Sequence, residues 1–248
     1  MLKKIGLPVL LAAMMLALTS CGKEVKIMSY NVRNGRGLDD VRNTERTATV
    51  IKNLNPDVVA LQELDSMTQR SGTTYVLGEL AELTGMTATF SPAIDYDGGK
   101  YGVGILSRKE PLSVARYSLP GREEERAMVV AEFEDYYFGC THLSLTADDS
   151  YESAKIICDI ARGLQKPFFL AGDFNSYPDS PTVKELEKLF RVISSKDEFT
   201  FPADTPNETI DYIIVYEPAG CTVSESSYMV VNEPAASDHR PIVAEVKI

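Results

Sequence analysis

The sequence predicts an α/β fold in which two β-sheets pack together and helices lie outside. Three observations predict it. Short apolar runs with strand character outnumber segments with helical spacing. The helical segments come singly, each between strands. Runs such as Val58-Val59-Ala60-Leu61 are apolar at every position, as in a sheet covered on both faces. There is no repeat, low-complexity tract or internal linker, and the length of 248 residues suits one large domain.

The first strand covers 25–30, and Asn31-Val32-Arg33-Asn34-Gly35 is the loop that ends it. Asn43 or Thr44 caps a helix running to about residue 53, with Val41, Ala48, Ile51 and Leu54 as its apolar stripe. Asn55-Pro56 stops that helix, because a residue before proline avoids the α region. A strand follows over 57–62, with Glu63 at its end. A helix over 75–84 turns Val76, Leu80 and Leu83 inward and stops at Gly85. Strands over 86–91 and 101–107 flank the turn Asp95-Tyr96-Asp97-Gly98-Gly99. Runs 128–133 and 137–142 form a hairpin about Glu134-Asp135. A helix over 150–164 precedes the buried strand Phe168-Phe169-Leu170-Ala171. Ser180-Pro181 opens a helix to about residue 190, as a cap followed by proline at the first helical position. Strands over 210–216, 221–228 and 241–246 close the chain.

The first twenty residues carry a processing signal. Lys3 and Lys4 precede an apolar run from Ile5 to Leu18 that is too short to serve as a stop-transfer helix. Leu18-Thr19-Ser20-Cys21 resembles the lipobox of bacterial lipoproteins. The resemblance implies cleavage before Cys21 and lipid on that residue, with 1–20 as signal peptide, 21–24 as a lipidated linker and 25–248 as the folded domain. The alternative is an ordinary signal peptide cut elsewhere, which the position of Cys21 argues against. Without Lys3 and Lys4, the 25 basic residues fall to 23 against 36 acidic ones, a balance of −13 with His neutral. That charge works against long-range attraction of nucleic acid. Besides Cys21 there remain Cys140, Cys158 and Cys221, an odd number that does not make a disulfide framework. Their spacing is not that of a zinc site.

The chemistry centres on Gly172-Asp173-Phe174-Asn175, which follows a buried strand and precedes the loop Ser176-Tyr177-Pro178-Asp179. Residues two apart in an extended segment face one side, so Asp173 and Asn175 can enter one pocket. A carboxylate beside an amide suits a hard cation or a water held against phosphorus; an Asx turn is the alternative. Other strand ends also carry polar residues: Asn31, Glu63, His142, Asp211 and Asp238-His239. Asp211 lies inside the β run Thr209-Ile210-Asp211-Tyr212-Ile213-Ile214, where a carboxylate needs a partner. His142 and His239 are the 2 histidines of the chain, and both follow the same pattern as the carboxylates.

Seven segments now carry a resemblance in order: Ser29-Tyr30-Asn31-Val32-Arg33, Leu61-Gln62-Glu63-Leu64-Asp65, Tyr101 to Arg108, Thr141-His142-Leu143-Ser144, Gly172-Asp173-Phe174-Asn175, Ile210-Asp211-Tyr212 and Ser237-Asp238-His239. Together they resemble the endonuclease/exonuclease/phosphatase, or deoxyribonuclease-I-like, superfamily from Val25 to the C-terminus. The resemblance implies a four-layered sandwich of two mixed β-sheets flanked by α-helices, and hydrolysis of phosphate esters with Mg²⁺ or Mn²⁺. It implies Glu63 as principal metal ligand, with Asn31 and Asp238 close to the metal. Asp173 would orient or deprotonate the attacking water, and Asn175 would hold water or a phosphate oxygen. His239 would contact the phosphate and move a proton, with Asp211 orienting it. His142 would contact phosphate or act as general acid. Arg126 resembles a family arginine near the phosphate, with Arg122 and Arg108 as nearby alternatives. A histidine at 142, where the apurinic endonuclease branch typically has tyrosine, fits better the branch of deoxyribonuclease I, sphingomyelinases and inositol phosphatases.

The expected protein is a lipid-anchored, Mg²⁺-dependent phosphoesterase of the bacterial cell envelope, on the periplasmic or cell-surface side, acting as a monomer. Its expected partners are a membrane, through lipidated Cys21, and a small-molecule or phospholipid phosphodiester or phosphomonoester. The alternatives are a metal-dependent nuclease of the same fold and a non-catalytic protein that binds a phosphate ligand. Stable anchoring requires more than one acyl chain, which lipoprotein processing supplies. Cys21→Ala is expected to move the protein from the membrane to the soluble fraction; unchanged partition on cell fractionation would remove the anchor.

Overall fold

The computed structural model describes residues 22–248, and its first strand shows how alternation sorts the chain into layers. In β1 (Glu24–Asn31), Val25 and Ile27 enter an apolar cluster shared by two sheets, while Met28 and Tyr30 enter a second cluster beneath helices. The helices of that outer layer are α1 (Thr44–Leu54) and α2 (Val76–Thr84). Residues 1–21, with the expected signal peptide and Cys21, lie outside the described residues. Among the described residues, no helix is long and apolar enough to cross a membrane.

The remaining strands are β2 (Val58–Ser66), β3 (Thr87–Tyr96), β4 (Gly99–Ser107), β5 (Ser113–Leu119), β6 (Arg126–Glu132), β7 (Tyr137–His142), β8 (Phe168–Asp173), β9 (Arg191–Val192), β10 (Asp211–Tyr216), β11 (Ser224–Val230) and β12 (Ile242–Lys247). One six-stranded sheet has the order β11-β12-β1-β2-β4-β3, and the other β5-β6-β7-β8-β10-β9. The pairs β1–β2 and β7–β8 are parallel, and every other pair is antiparallel. Parallel neighbours need a crossover, supplied by α1 in the first sheet and by α3 (Ala147–Arg162) in the second. With α4 (Pro181–Leu186), α3 covers a third apolar cluster on the outer face of the second sheet. The result is the four-layered sandwich that the sequence predicts. The two sheets share one pattern of parallel and antiparallel neighbours, but β6 and β7 are joined by a turn where the matching β12 and β1 are the last and first strands.

Local chemistry accounts for the boundaries. The Asn43 side chain accepts from Arg46 N–H at 2.9 Å to cap α1, and Asn55 ends it with a left-handed φ of 52°. Ser180 accepts from Val183 N–H at 3.2 Å, with Pro181 at the first turn of α4. The β3–β4 hairpin turns on Asp97-Gly98 with φ of 46° and 80°, the pair that a two-residue turn of positive φ demands.

Several boundaries differ from expectation. Val41 precedes α1 and is 56% exposed, so it is no part of the helix stripe. The last helix ends at Leu186, and α3 starts earlier, at Ala147. The sequence reading lacks β5 and β9: β5 is an edge strand whose side chains are mostly half-exposed, and β9 has 2 residues, so neither shows a clear period. Strand β11, on an edge of the other sheet, is mostly exposed and begins at Ser224 rather than Cys221. Cys140, Cys158 and Cys221 are free; burial pushes the Cys140 thiol up to about 12 and Cys158 up to about 11, as expected of packed thiols.

Gly172 sets the close approach of β7 to β8, because a Cβ there would stand 2.1 Å from the carbonyl oxygen of Thr141. Backbone cannot yield as a flexible side chain can. Gly172→Ala is expected to cost about 1–3 kcal/mol of stability by urea denaturation, the range for overpacking. A wild-type midpoint and slope would show that the strands separate freely.

Candidate active site

The inward-facing stripes of four strands turn polar at one end of the sandwich. Toward that end β1 reads Val25, Ile27, Ser29, Asn31; β7 reads Phe138, Cys140, His142; β8 reads Phe169, Ala171, Asp173; and β10 reads Val215, Ile213, Asp211. The pairing aligns His142 with Asp173 across β7–β8 and Asp211 with Asp173 across β8–β10. Three polar residues therefore stand in one row, at the limit of the apolar layer.

Glu63 arrives differently. The inner stripe of β2 is Val58, Ala60, Gln62, and regular alternation would place Glu63 with Val59 and Leu61 beneath the helices. A bulge between Leu61 and Leu64 inserts one residue, and Glu63 takes a φ of 59°. Such a conformation costs a non-glycine residue about 1–3 kcal/mol. Strand β2 continues to Ser66, so it is the bulge, and not the end of the strand, that turns this carboxylate into the cleft.

Asn31 joins the two sheets. Its Nδ2 donates to Glu63 Oε1 at 3.0 Å and to Asp173 Oδ2 at 3.1 Å. Its Oδ1 accepts from Arg33 N–H at 3.1 Å, which orients the amide with nitrogen toward the carboxylates. The backbone oxygen of Asn31 accepts from Ser237 Oγ at 2.7 Å, tying the Ser237-Asp238-His239 loop to β1. Asp238 faces Arg33 Nε at 3.4 Å.

Asp173 divides its oxygens. Oδ1 accepts from Asn175 N–H at 2.9 Å, an Asx turn, while Oδ2 faces Asn31 and both histidines. The Asx turn of Gly172-Asp173-Phe174-Asn175 is thus present, and it leaves Oδ2 directed toward the cleft. Asn175 is not extended as alternation assumed: its φ is 47°, and its Nδ2 donates to Leu143 O at 2.9 Å. It still lines the cleft beside Asp173.

The two histidines sit in opposite environments. His239 Nδ1 lies 3.0 Å from Asp211 Oδ2, and its Nε2 lies 3.6 Å from Asp173 Oδ2. Burial disfavours its charge, but Asp211 and Asp173 outweigh it and hold the imidazole up at about 10. His142 Nε2 lies 3.5 Å from the same Asp173 oxygen, while its Nδ1 faces Arg126 at 3.4 Å. Burial pulls His142 down to about 4, so it is neutral at pH 7. Arginine can only donate, which makes Nδ1 of His142 the acceptor and leaves the proton on Nε2. Of the three candidate arginines, Arg126 is buried in the cleft, Arg122 pairs with Asp149 at 2.8 Å, and Arg108 bonds Pro56 O at 2.9 Å at the opposite end of the sandwich.

The cleft has a volume of about 310 Å³. Glu63, Arg126, His142, Asp173, Asn175, Asp238 and His239 line it, and Asp211 stands behind His239. Tyr101, Glu124, Leu145 and Phe201 also line it, without having been assigned a role from sequence. Glu124 pairs with Arg126 at 3.0 Å, and the Phe201 ring packs 4.7 Å from that of His239. Tyr101 opens one of the seven segments, and Glu124 lies two positions before Arg126, but neither carried a role of its own.

The donor set fits a divalent cation. Burial pushes the Glu63 carboxyl up, the Asn31 bond opposes this, and the charges of Asp238 and Asp173 raise it further. Crowded carboxylates of this kind are relieved by a hard cation, which prefers oxygen ligands. Asp173, Asp211 and His239 also bring ligand atoms within 4.8 Å of one another, a buried group that could hold a metal only with His239 deprotonated.

The fold has many solved relatives. A structure from Bacteroides vulgatus, described as an endonuclease/exonuclease/phosphatase, has a TM-score of 0.74 at 19% identity, covering 91% of this chain and 99% of that one. A mannosyl-6-phosphatase of Bacteroides thetaiotaomicron has a TM-score of 0.71 at 17% identity, covering 90% of this chain and 100% of that one. The human Nocturnin catalytic domain with bound sulfate has a TM-score of 0.67 at 17% identity, covering 90% and 94%. The model of the endonuclease/exonuclease/phosphatase family matches residues 28–239, which include every residue lining the cleft. The chain therefore belongs to the endonuclease/exonuclease/phosphatase family, whose members are hydrolases acting on phosphoester bonds.

Proposed function

We propose that this protein is a lipid-anchored, divalent-cation-dependent phosphoesterase, with Mg²⁺ or Mn²⁺ as the cation. Its substrate is a phosphodiester or phosphomonoester of small-molecule or phospholipid type. The observation that carries this reading is the meeting, in one cleft, of an acidic group suited to a cation with Arg126 and two histidines in opposite protonation states.

Glu63 would hold the cation, with Asn31 and Asp238 beside it. When bound, the cation supplies positive charge against the non-bridging phosphate oxygens. Arg126 and the Nε2 proton of His142 bind phosphate oxygens. Asp173 Oδ2 orients the attacking water and accepts its proton. Asn175, with its Nδ2 on Leu143 O, offers its side-chain oxygen to that water. His239 is held protonated between two carboxylates and is placed to give a proton to the leaving oxygen, with Asp211 keeping the ring in orientation. A polyanion is a poor fit, because Glu124 pairs with Arg126 in the cleft and the mature chain is strongly acidic.

The test is a panel of plasmid DNA, a chromogenic phosphodiester, a phosphomonoester and dispersed phospholipid, each with Mg²⁺ and with EDTA. Hydrolysis of a small ester or lipid that EDTA abolishes is expected; plasmid nicking alone would favour the nuclease reading. In calorimetry, Glu63→Gln is expected to weaken Mg²⁺ binding most, while Asp173→Asn keeps the ion and loses turnover. Equal loss of binding in both would mean that the roles are misassigned. His142→Ala and His239→Ala are each expected to lower kcat by at least about a hundredfold, the scale of general acid–base groups, with circular dichroism unchanged. Near-normal turnover in both would end the two-histidine mechanism.

A further inference from the structure

The start of the folded chain and the cleft lie at opposite ends of one strand. Strand β1 begins at Glu24 and ends at Asn31, whose amide holds Glu63 and Asp173 of the cleft from behind. Seven steps of about 3.3 Å separate these ends by roughly 23 Å. At the far end, Lys23 N–H donates to Ile248 O at 3.0 Å, and Ile248 N–H donates back to Lys23 O at 3.1 Å. The Lys23 ammonium pairs with Asp135 in the β6–β7 turn, so both sheets meet here as they meet again at Asn31 and Asp173. The strands of the two sheets thus run the full length of the sandwich between a tethered end and a catalytic end. Leu112, 68% exposed, lies on the tethered end beside Lys23 and Glu24.

Only Gly22 separates Cys21 from the fastened Lys23. Two residues span at most about 7 Å. A tether that short cannot reach along the roughly 23 Å flank that separates it from the cleft. We propose that the lipid anchor holds the cleft facing away from its own bilayer, so that the substrate is a water-soluble phosphoester and not a headgroup of the anchoring membrane. The inference rests on acylation of Cys21 and on the phosphoesterase reading, and it removes the phospholipid half of that reading.

Single labels test the orientation without depending on turnover. In a Cys221→Ser background, a donor dye is attached at Leu112→Cys on the tethered end or at Tyr177→Cys, 57% exposed, on the loop beyond Asn175. Cys140 and Cys158 are buried, and acylation would block the Cys21 sulfur. The lipidated proteins are reconstituted on phosphatidylcholine–phosphatidylglycerol vesicles carrying acceptor lipid in the outer leaflet. Energy transfer from Leu112→Cys is expected to exceed that from Tyr177→Cys at least twofold. A flexible Gly/Ser insert of about 20 residues between Cys21 and Gly22 is expected to narrow the difference. Equal or reversed transfer in protein that floats with the vesicles overturns the orientation and leaves the anchor intact. Protein that does not float overturns the anchor and the inference with it. Faster hydrolysis of phospholipid in the anchoring vesicle than of a soluble phosphodiester overturns the substrate assignment while sparing the phosphoesterase reading.

Discussion

The side-chain amide of Asn31 is the contact on which the site depends. It stands between Glu63 on one sheet and Asp173 on the other and donates to both. Without it, the buried Asp173 and the half-buried Glu63 would face each other with nothing between them, a costly arrangement in a poorly solvated setting. Its orientation is fixed by the Arg33 N–H on its oxygen, so the amide cannot turn without leaving that donor unpaired. The same residue receives Ser237 on its backbone oxygen. One side chain and its peptide group thus set the relative position of both sheets and of the loop bearing Asp238 and His239.

The fold gives that contact its setting. Each sheet places a parallel pair at its centre, and each pair delivers the ends of two strands to the same rim. The inner stripes are apolar until the last residue or two, so the polar groups emerge from dry protein and not from an open surface. Low solvation then separates the two histidines. His239 is charged because two carboxylates outweigh its burial; His142 is neutral because burial outweighs its one carboxylate neighbour, which Arg126 opposes as well. Environments that push like groups apart in this way leave one ring cationic and the other a neutral donor at Nε2.

Much of this was legible in the sequence. Apolar runs bounded by Gly, Pro, Asn and Asp marked most strands, because burial on both faces imposes a composition that edge strands such as β5 and β11 do not share. Caps at Asn43 and Ser180 were equally plain, since a helix end needs a side-chain oxygen whatever surrounds it. The polar residues at strand ends could be named from their anomalous position. Their convergence could not be derived from period or spacing, because it depends on which strands pair and in what register.

The sequence by itself determined the layers, the order of the elements and the identity of most polar residues in the cleft. Those properties follow from alternation and turn chemistry, which act over a few residues. Tertiary structure alone decided the rest. The bulge that turns Glu63 inward arises from pairing β2 against β4, and no local period encodes it. The choice of Arg126 over Arg122 and Arg108 depends on where each side chain goes: into the cleft, out to Asp149 at the surface, or to the opposite end of the sandwich. Opposite charge states for His142 and His239 depend on how many carboxylates surround each ring, a count that exists only once strands distant in the chain are brought together.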